Sequence, residues 1–482
     1  MSTSKALPRS TPEAQGVPSS AVYAFVNAIE QNKLELHSLM LLRHGAVVAE
    51  GWWAPYQADY RHILHSLSKS FTSTAIGLAI AEGRLSVDDP VISFFPESLP
   101  DQVSENLAAL RIKHLLSMST GQTEDTTIAR ATSDRDWVRS FLHSEFPYVP
   151  GTHFLYNSGA TYMLSAIIQK VTGMLLLDYL RPRLLDPLGI TDVSWELSPQ
   201  GVNTGGWGMS ITTDAIARFG QLYLQKGVWN GEQLVPADWI AQATSYQIDN
   251  AGNLTNENLD WQQGYCYQFW RCRYNCYRGD GAFGQFCLAM PDQDAVLAIT
   301  ASLANMQAVL DLVWEHIRPA MSEGPLPAQP DAHIALAQKL SSLHIDPPAG
   351  KSSAAVAARV SGRQYVLTSN PLSFKKLRFD FSTAACDLTI GTATGEQHLI
   401  CGSGEWTTGT LSLLPFGSRT AASGVWLTED TFVITLRYVE SSAFFTLRCQ
   451  FLDSNSLTVD IHTDGALNGQ DYQLVGAATA TI

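Results

Sequence analysis

The stretch His62 to Gly83 reads HILHSLSKSFTSTAIGLAIAEG. Leu67, Phe71, Ala75, Leu78, Ala79 and Ile80 recur at helical spacing and Gly83 is a natural stop, so the pattern predicts a helix starting near Ser66. Residues three apart share a helix face with Cβ atoms about 5–6 Å apart, which sets Ser66 beside Lys69. The helix is otherwise small and apolar, and a lysine buried in it needs a partner or a lowered pKa. A neutral amine there can take a serine proton, while the helix start offers N–H groups and a positive dipole end to developing negative charge. The Ser-x-x-Lys spacing alone decides nothing, since Ser2 with Lys5 and Ser373 with Lys376 share it. The first of those pairs lies in a polar terminus and the second in a segment of strand character. Ser66 instead opens a long apolar helix able to hold it rigidly.

Before this helix, residues 17–35 predict another one, and HSLMLLRHGAVVAEGWWAPY predicts a hairpin turning at His44-Gly45. After it come helical segments at 111–121, 134–142, 160–173, 175–189 and 212–227, and polar loops at 122–132 and 245–262. The loop FPYVPGTHFLYNSG feeds the 160–173 helix, and Tyr156, Asn157 and Ser158 stand out there because loops between rigid elements carry catalytic groups. CYQFW, FGQFCLAM and AVLAITAS then predict strands, with a helix over 305–318. A hairpin, many helices, then strands and a helix is the order of an α+β domain in which an antiparallel sheet carries a helical subdomain. This domain is assigned to residues 12–320 and a linker with a short helix to 321–350, where prolines break the periodicity. Residues 351–482, with LRFDF, CDLTI, TFVITLRYV, AFFTLRC and SLTVDIH as strands, form a small all-β C-terminal domain.

Composition narrows the function. A formal charge of −14 disfavours nucleic acid and anionic membranes as partners. The amino terminus lacks an apolar signal core and no run of 18 apolar residues is present, so a cytoplasmic location is expected. No glycine-rich dinucleotide fingerprint or phosphate loop occurs, and no cofactor is implied. Cys266, Cys272, Cys276 and Cys287 cluster, but without a CxxC pair they read as buried thiols, not a metal site.

Several phrases resemble the beta-lactamase-like serine hydrolases, the group of class C beta-lactamases, DD-peptidases, esterases and amide hydrolases. They are SLSK at 66–69, KHLLSMSTG at 113–121, PGTHFLYNSG at 150–159, LLDPLGITDVSW at 184–195, GGWGMSITTDAIARFGQLYL at 205–224 and GDGAFGQF at 279–286. The resemblance implies that Ser66 is the acylated nucleophile, Lys69 its proton acceptor and Tyr156 a proton shuttle. Where the family has Tyr-x-Asn this chain has Ser158, with Asn157 before it. Where the family sets Lys-Thr-Gly or His-x-Gly on an edge strand, this chain has Gly279, Asp280, Gly281, Ala282, Phe283 and Gly284. Matching the closing glycine to Gly281 or to Gly284 leaves Gly279 or Ala282 at the cationic position. Asp280 adds a carboxylate to the same stretch, so a neutral substrate is favoured over an anionic beta-lactam.

The implied reaction has Lys69 taking the Ser66 proton as Oγ attacks a carbonyl, with Tyr156 relaying it and then activating the deacylating water. The oxyanion donors are expected to be the Ser66 N–H and one from residues 281–285. The substrate is a small ester, amide or short peptide, with beta-lactamase or D-amino-acid peptidase action as the alternative. A triad through His62 or His65 is disfavoured because no GxSxG elbow surrounds Ser66. A ligand-binding protein on a hydrolase scaffold is the non-enzymatic alternative, and Trp207 is a candidate apolar wall in either case.

Overall fold

The computed structural model describes residues 6–126, 135–253, 259–413, 417–467 and 469–478. Part of the loop at 122–132, part of the polar segment at 245–262 and the first residue of the 134–142 helix lie outside them. The chain forms two compact units, the first made of Met1–Gly51, Leu64–Ala301 and Asn305–Ser341, the second of Trp52–Ile63, Ser302–Ala304 and Ser342–Ile482.

The first unit is an α+β domain around one antiparallel sheet. Its strands are β1 (Leu36–Arg43), β2 (Ala46–Trp52), β3 (Trp270–Arg271), β4 (Tyr277–Gly281), β5 (Gln285–Met290) and β6 (Ala295–Ala301), in the spatial order β2-β1-β6-β5-β4-β3. His44 and Gly45 both have positive φ, as a two-residue hairpin turn requires. Of CYQFW only Trp270 enters a strand: Gln268 has a φ of 66° and its amide bonds to the Leu115 and Leu116 carbonyls, which breaks the extended run. The helices that matter for the site are α1 (Ser19–Gln31), α2 (Ser68–Ala81), α3 (Ser158–Thr172), α4 (Thr213–Leu224) and α5 (Pro330–Ser341). Helix α5, expected within a linker, packs on α1 and pairs Lys339 with Glu30, so the first unit runs on to Ser341 instead of ending near 320.

Helix α2 is buried from Ser68 to Ala79, on every face. Its apolar side packs conventionally, with Phe71 stacked on Phe219 of α4 at 3.9 Å between ring centroids. Its hydroxyls are internal tethers, because a buried polar group must be paired. Thr72 Oγ1 donates to the Gly205 carbonyl (2.8 Å), Ser70 Oγ to the Gln268 carbonyl (2.9 Å), and Thr74 Oγ1 shares a hydrogen bond with the Tyr223 hydroxyl (2.7 Å). The run of serines and threonines thus fixes this helix against three different segments.

The second unit is mostly β. Its strands are β7 (Gln364–Leu367), β8 (Lys376–Phe381), β9 (Ala385–Gly391), β10 (Glu396–Ser403), β11 (Thr407–Thr410), β12 (Arg419–Trp426), β13 (Thr431–Tyr438), β14 (Phe444–Phe451), β15 (Ser456–Asp464) and β16 (Asp471–Ala478). Their order is β10-β9-β8-β7-β16-β15-β14-β13-β12-β11, and a parallel pairing of Gly402 and Ser403 with Ser423 and Gly424 joins β10 to β12, closing a barrel. Among the described residues no single helix is long and apolar enough to cross a membrane, although Ser158–Thr172 with Leu176–Leu188 forms one bent pair that is.

Candidate active site

Ser66, the expected helix start, lies two residues before the first residue of α2, in a 3-10 turn (His65–Leu67) that runs into it. His65 has a φ of 47°, a left-handed conformation that a non-glycine residue holds only where the surroundings impose it. That twist presents the half-buried Ser66 at the positive end of α2.

Lys69 is 1% exposed, and its amine has three oxygen acceptors: Ser66 Oγ at 3.0 Å, Ser158 Oγ at 3.2 Å and the Gly206 carbonyl at 2.8 Å. Burial lowers its pKa to about 7, against the opposing pull of the Asp125 and Asp280 carboxylates. Desolvation therefore outweighs two nearby anions. The Tyr156 hydroxyl faces the Ser66 side chain, its ring centroid is 4.8 Å from the Lys69 amine, and it stacks on Trp270 at 5.4 Å. Burial pushes its phenol far above the usual range, so it carries its proton at neutral pH. Ser66, Lys69, Tyr156 and Ser158 thus converge.

Asn157 does not join them. It is fully buried and caps α3, its side-chain oxygen accepting from Gly159 N (2.9 Å), Thr126 N (3.2 Å) and Thr126 Oγ1 (3.1 Å), while its amide donates to Gln122 Oε1 (2.6 Å). Its side-chain polar atoms are committed to the 122–126 segment and to the first turn of α3, beside Ser158. Asn157→Ala removes a cap and strands buried partners, and should cost about 2–4 kcal/mol in urea unfolding. A change below about 0.5 kcal/mol would contradict this structural role.

Gly279, Asp280 and Gly281 lie on β4, whereas Ala282, Phe283 and Gly284 form its turn into β5. β3 pairs only with Tyr277 and Arg278, so 279–281 continue past the end of the edge strand. A Cβ on Gly279 would collide with Leu67 Cδ1 and one on Gly281 with the Leu64 carbonyl, so both glycines let β4 press against the turn holding Ser66. Phe283, with a φ of 66°, sets its ring edge-on to His65 at 5.4 Å. Asp280 is not the open carboxylate expected beside a substrate. It is 8% exposed and accepts from Arg278 Nε at 2.7 Å. Arg278, fully buried over the Trp261 ring (4.0 Å), also donates to the Asp260 carbonyl and to Cys272 Sγ.

His65, offered as an alternative base, has its pKa lowered to about 4 by burial and by Lys69. His62 uses Nδ1 on the Ile63 carbonyl at 2.9 Å. All seven cysteines are free and buried, and no metal-holding group of His, Cys, Asp or Glu occurs among the described residues. Residues that the sequence reading passed over include Gly206, Asp125, Arg278 and Trp270. Gly206 was within reach as part of the Gly-Gly pair beside Trp207. Asp125, which accepts from Ser158 N at 3.1 Å, had no local signal, because its partner is 33 residues away.

Relatives of this chain are known. A 6-aminohexanoate-dimer hydrolase from Paenarthrobacter ureafaciens is 27% identical over 286 residues, 55% of this chain and 72% of that protein. An octameric penicillin-binding protein homologue from Pyrococcus abyssi has a similar fold, 16% identical with a TM-score of 0.51, covering 95% of this chain and 99% of that one. EstCE1, described as a hydrolase with promiscuous acyltransferase activity, is 16% identical with a TM-score of 0.52, covering 61% and 99%. The beta-lactamase family model matches residues 26–319, more than half of the sequence, and the chain belongs to the beta-lactamase family of serine hydrolases.

Proposed function

We propose that the protein hydrolyses a small neutral ester or amide through an acyl-enzyme on Ser66. The observation that carries this reading is the 3.0 Å contact between Ser66 Oγ and a Lys69 amine whose pKa is lowered to about 7. Near neutral pH a substantial share of that amine is therefore uncharged and able to accept a proton. As Oγ attacks the carbonyl carbon, its proton passes to Lys69 Nζ and negative charge gathers on the carbonyl oxygen. The Ser66 N–H and an N–H of residues 281–285 receive that charge. Tyr156, held as a phenol, donates its proton to the leaving group and is reprotonated from Lys69. This phenol is too weak an acid to supply the base for deacylation, so Lys69 rather than Tyr156 draws the proton from the attacking water, with Tyr156 passing it along.

The preference for a neutral substrate rests on 279–284, which offers no lysine or histidine where the family carries one, and on Arg278 being tied to Asp280. The name of the Paenarthrobacter relative, a dimer hydrolase, also favours a small substrate. A short-chain activated ester is expected to show a higher kcat/KM than a beta-lactam, and the reverse order would sink the substrate assignment. Asp280 has a second role that can be read separately. Its carboxylate favours the protonated form of Lys69, so Asp280→Asn should move the acid limb of kcat/KM to lower pH. An unmoved limb would remove Asp280 from the electrostatics of the base.

A further inference from the structure

The barrel of the second unit is filled unevenly. Strand register puts Phe432, Phe451, Trp426 and Phe381 toward one end, where their ring centroids lie 5.0–5.8 Å apart in the pairs Phe381–Trp426, Phe381–Phe432, Trp426–Phe432 and Trp426–Phe451. Toward the other end the inward positions are aliphatic. Leu436 pairs with Phe445, Leu447 with Ile461, and Ile390 with Gln397, so these residues share the opposite level of the barrel. There they line an open-mouthed cavity of about 310 Å³.

Its chemistry is uniform. Ile390, Leu399, Leu436, Leu447 and Ile461 form the floor, and Phe374, half-buried, stands at the mouth. The polar lining is neutral, with Thr392, Gln397 and Ser412 among it, and among the described residues no ionisable side chain lines the cavity. An apolar space of ~150 Å³ holds a benzene-sized guest, so this one suits a molecule of about a dozen non-hydrogen atoms. An ionised group taken inside would lose its hydration with no opposite charge to meet it. Closed barrels of this kind hold a single small ligand when their interior side chains stop short of filling them.

We propose that the barrel binds a neutral, elongated aliphatic molecule of about a dozen non-hydrogen atoms, its chain on the Leu436–Leu447–Ile461 floor and a terminal hydroxyl or carbonyl at the Thr392–Gln397 rim. All the residues that line this site belong to the second unit. The test is calorimetric titration of the full chain with 1-decanol and, in parallel, with decanoate at pH 8. One equivalent of decanol should bind, and decanoate at least about tenfold more weakly. Leu447→Trp fills the cavity and should abolish decanol binding while ester hydrolysis stays within about twofold of the starting protein. Should that variant fail to fold by circular dichroism, Leu436→Phe makes a smaller filling and should weaken decanol by at least about fivefold. Absence of saturable decanol binding, equal affinity for decanoate, or undiminished binding in the folded filled variant would each overturn the proposal.

Discussion

Ser66→Ala should lower kcat for an activated short-chain ester by at least about 10³-fold and abolish labelling by a fluorescent phosphonate. The hydroxyl is half-buried, whereas the neighbouring Ser68 and Ser70 are fully buried and donate to the His65 and Gln268 carbonyls at 2.7 and 2.9 Å. Ser70→Ala is therefore the matched control: it removes a tether of α2 without touching Ser66, and should lower stability more than it lowers kcat. Loss of the Ser66 hydroxyl leaves the Lys69 amine with Ser158 Oγ and the Gly206 carbonyl as acceptors, so the fold should lose less than about 1 kcal/mol. A phosphonate adduct located by mass spectrometry on any other residue, or catalysis undiminished in Ser66→Ala, would remove Ser66 from the reaction.

What the sequence made legible follows the range of each interaction. Ser66 and Lys69 are three residues apart on a nearly continuous helical turn, so their meeting is a local fact readable from spacing. The hairpin at His44-Gly45 is equally local. Asn157 looked like a ligand-binding amide because it sits between Tyr156 and Ser158, yet its four side-chain hydrogen bonds reach Gly159, Thr126 and Gln122. Only the fold shows which way a side chain at a helix start turns. Asp280 is the exception to range: its partner guanidinium is only two residues back on the same strand face, but that both are buried, and so close on each other instead of facing solvent, is set by the fold. In the barrel, strands with strong alternation such as TFVITLRY were legible. RTAASGVW and DYQLVGAA were not, because alanine and glycine occupy positions where alternation would otherwise show.

Lys69→Arg should cost about 10²–10⁴-fold in kcat/KM at neutral pH, although it keeps a cation in place, because a guanidinium holds its proton throughout that range. The starting protein should show an acid limb in kcat/KM near pH 7, the value to which burial lowers Lys69, and the arginine variant should lack it. Stability supplies a second readout with a definite sign. The folded chain releases the Lys69 proton near pH 7 and the unfolded chain near 10.5, so between those values the unfolded state binds more protons and stability rises with pH. The penalty of burying the charged amine is full below pH 7 and is relieved progressively up to 10.5. Lys69→Met carries no such proton, so the difference in unfolding free energy between it and the starting protein should drift across that window and be flat below it. A base that works at neutral pH requires this destabilisation, since the burial that frees the amine to accept the Ser66 proton is the same burial that disfavours its charge. An acid limb that persists unchanged in Lys69→Arg would show that another group accepts the proton, and a pH-independent stability difference would show that Lys69 stays charged in the fold.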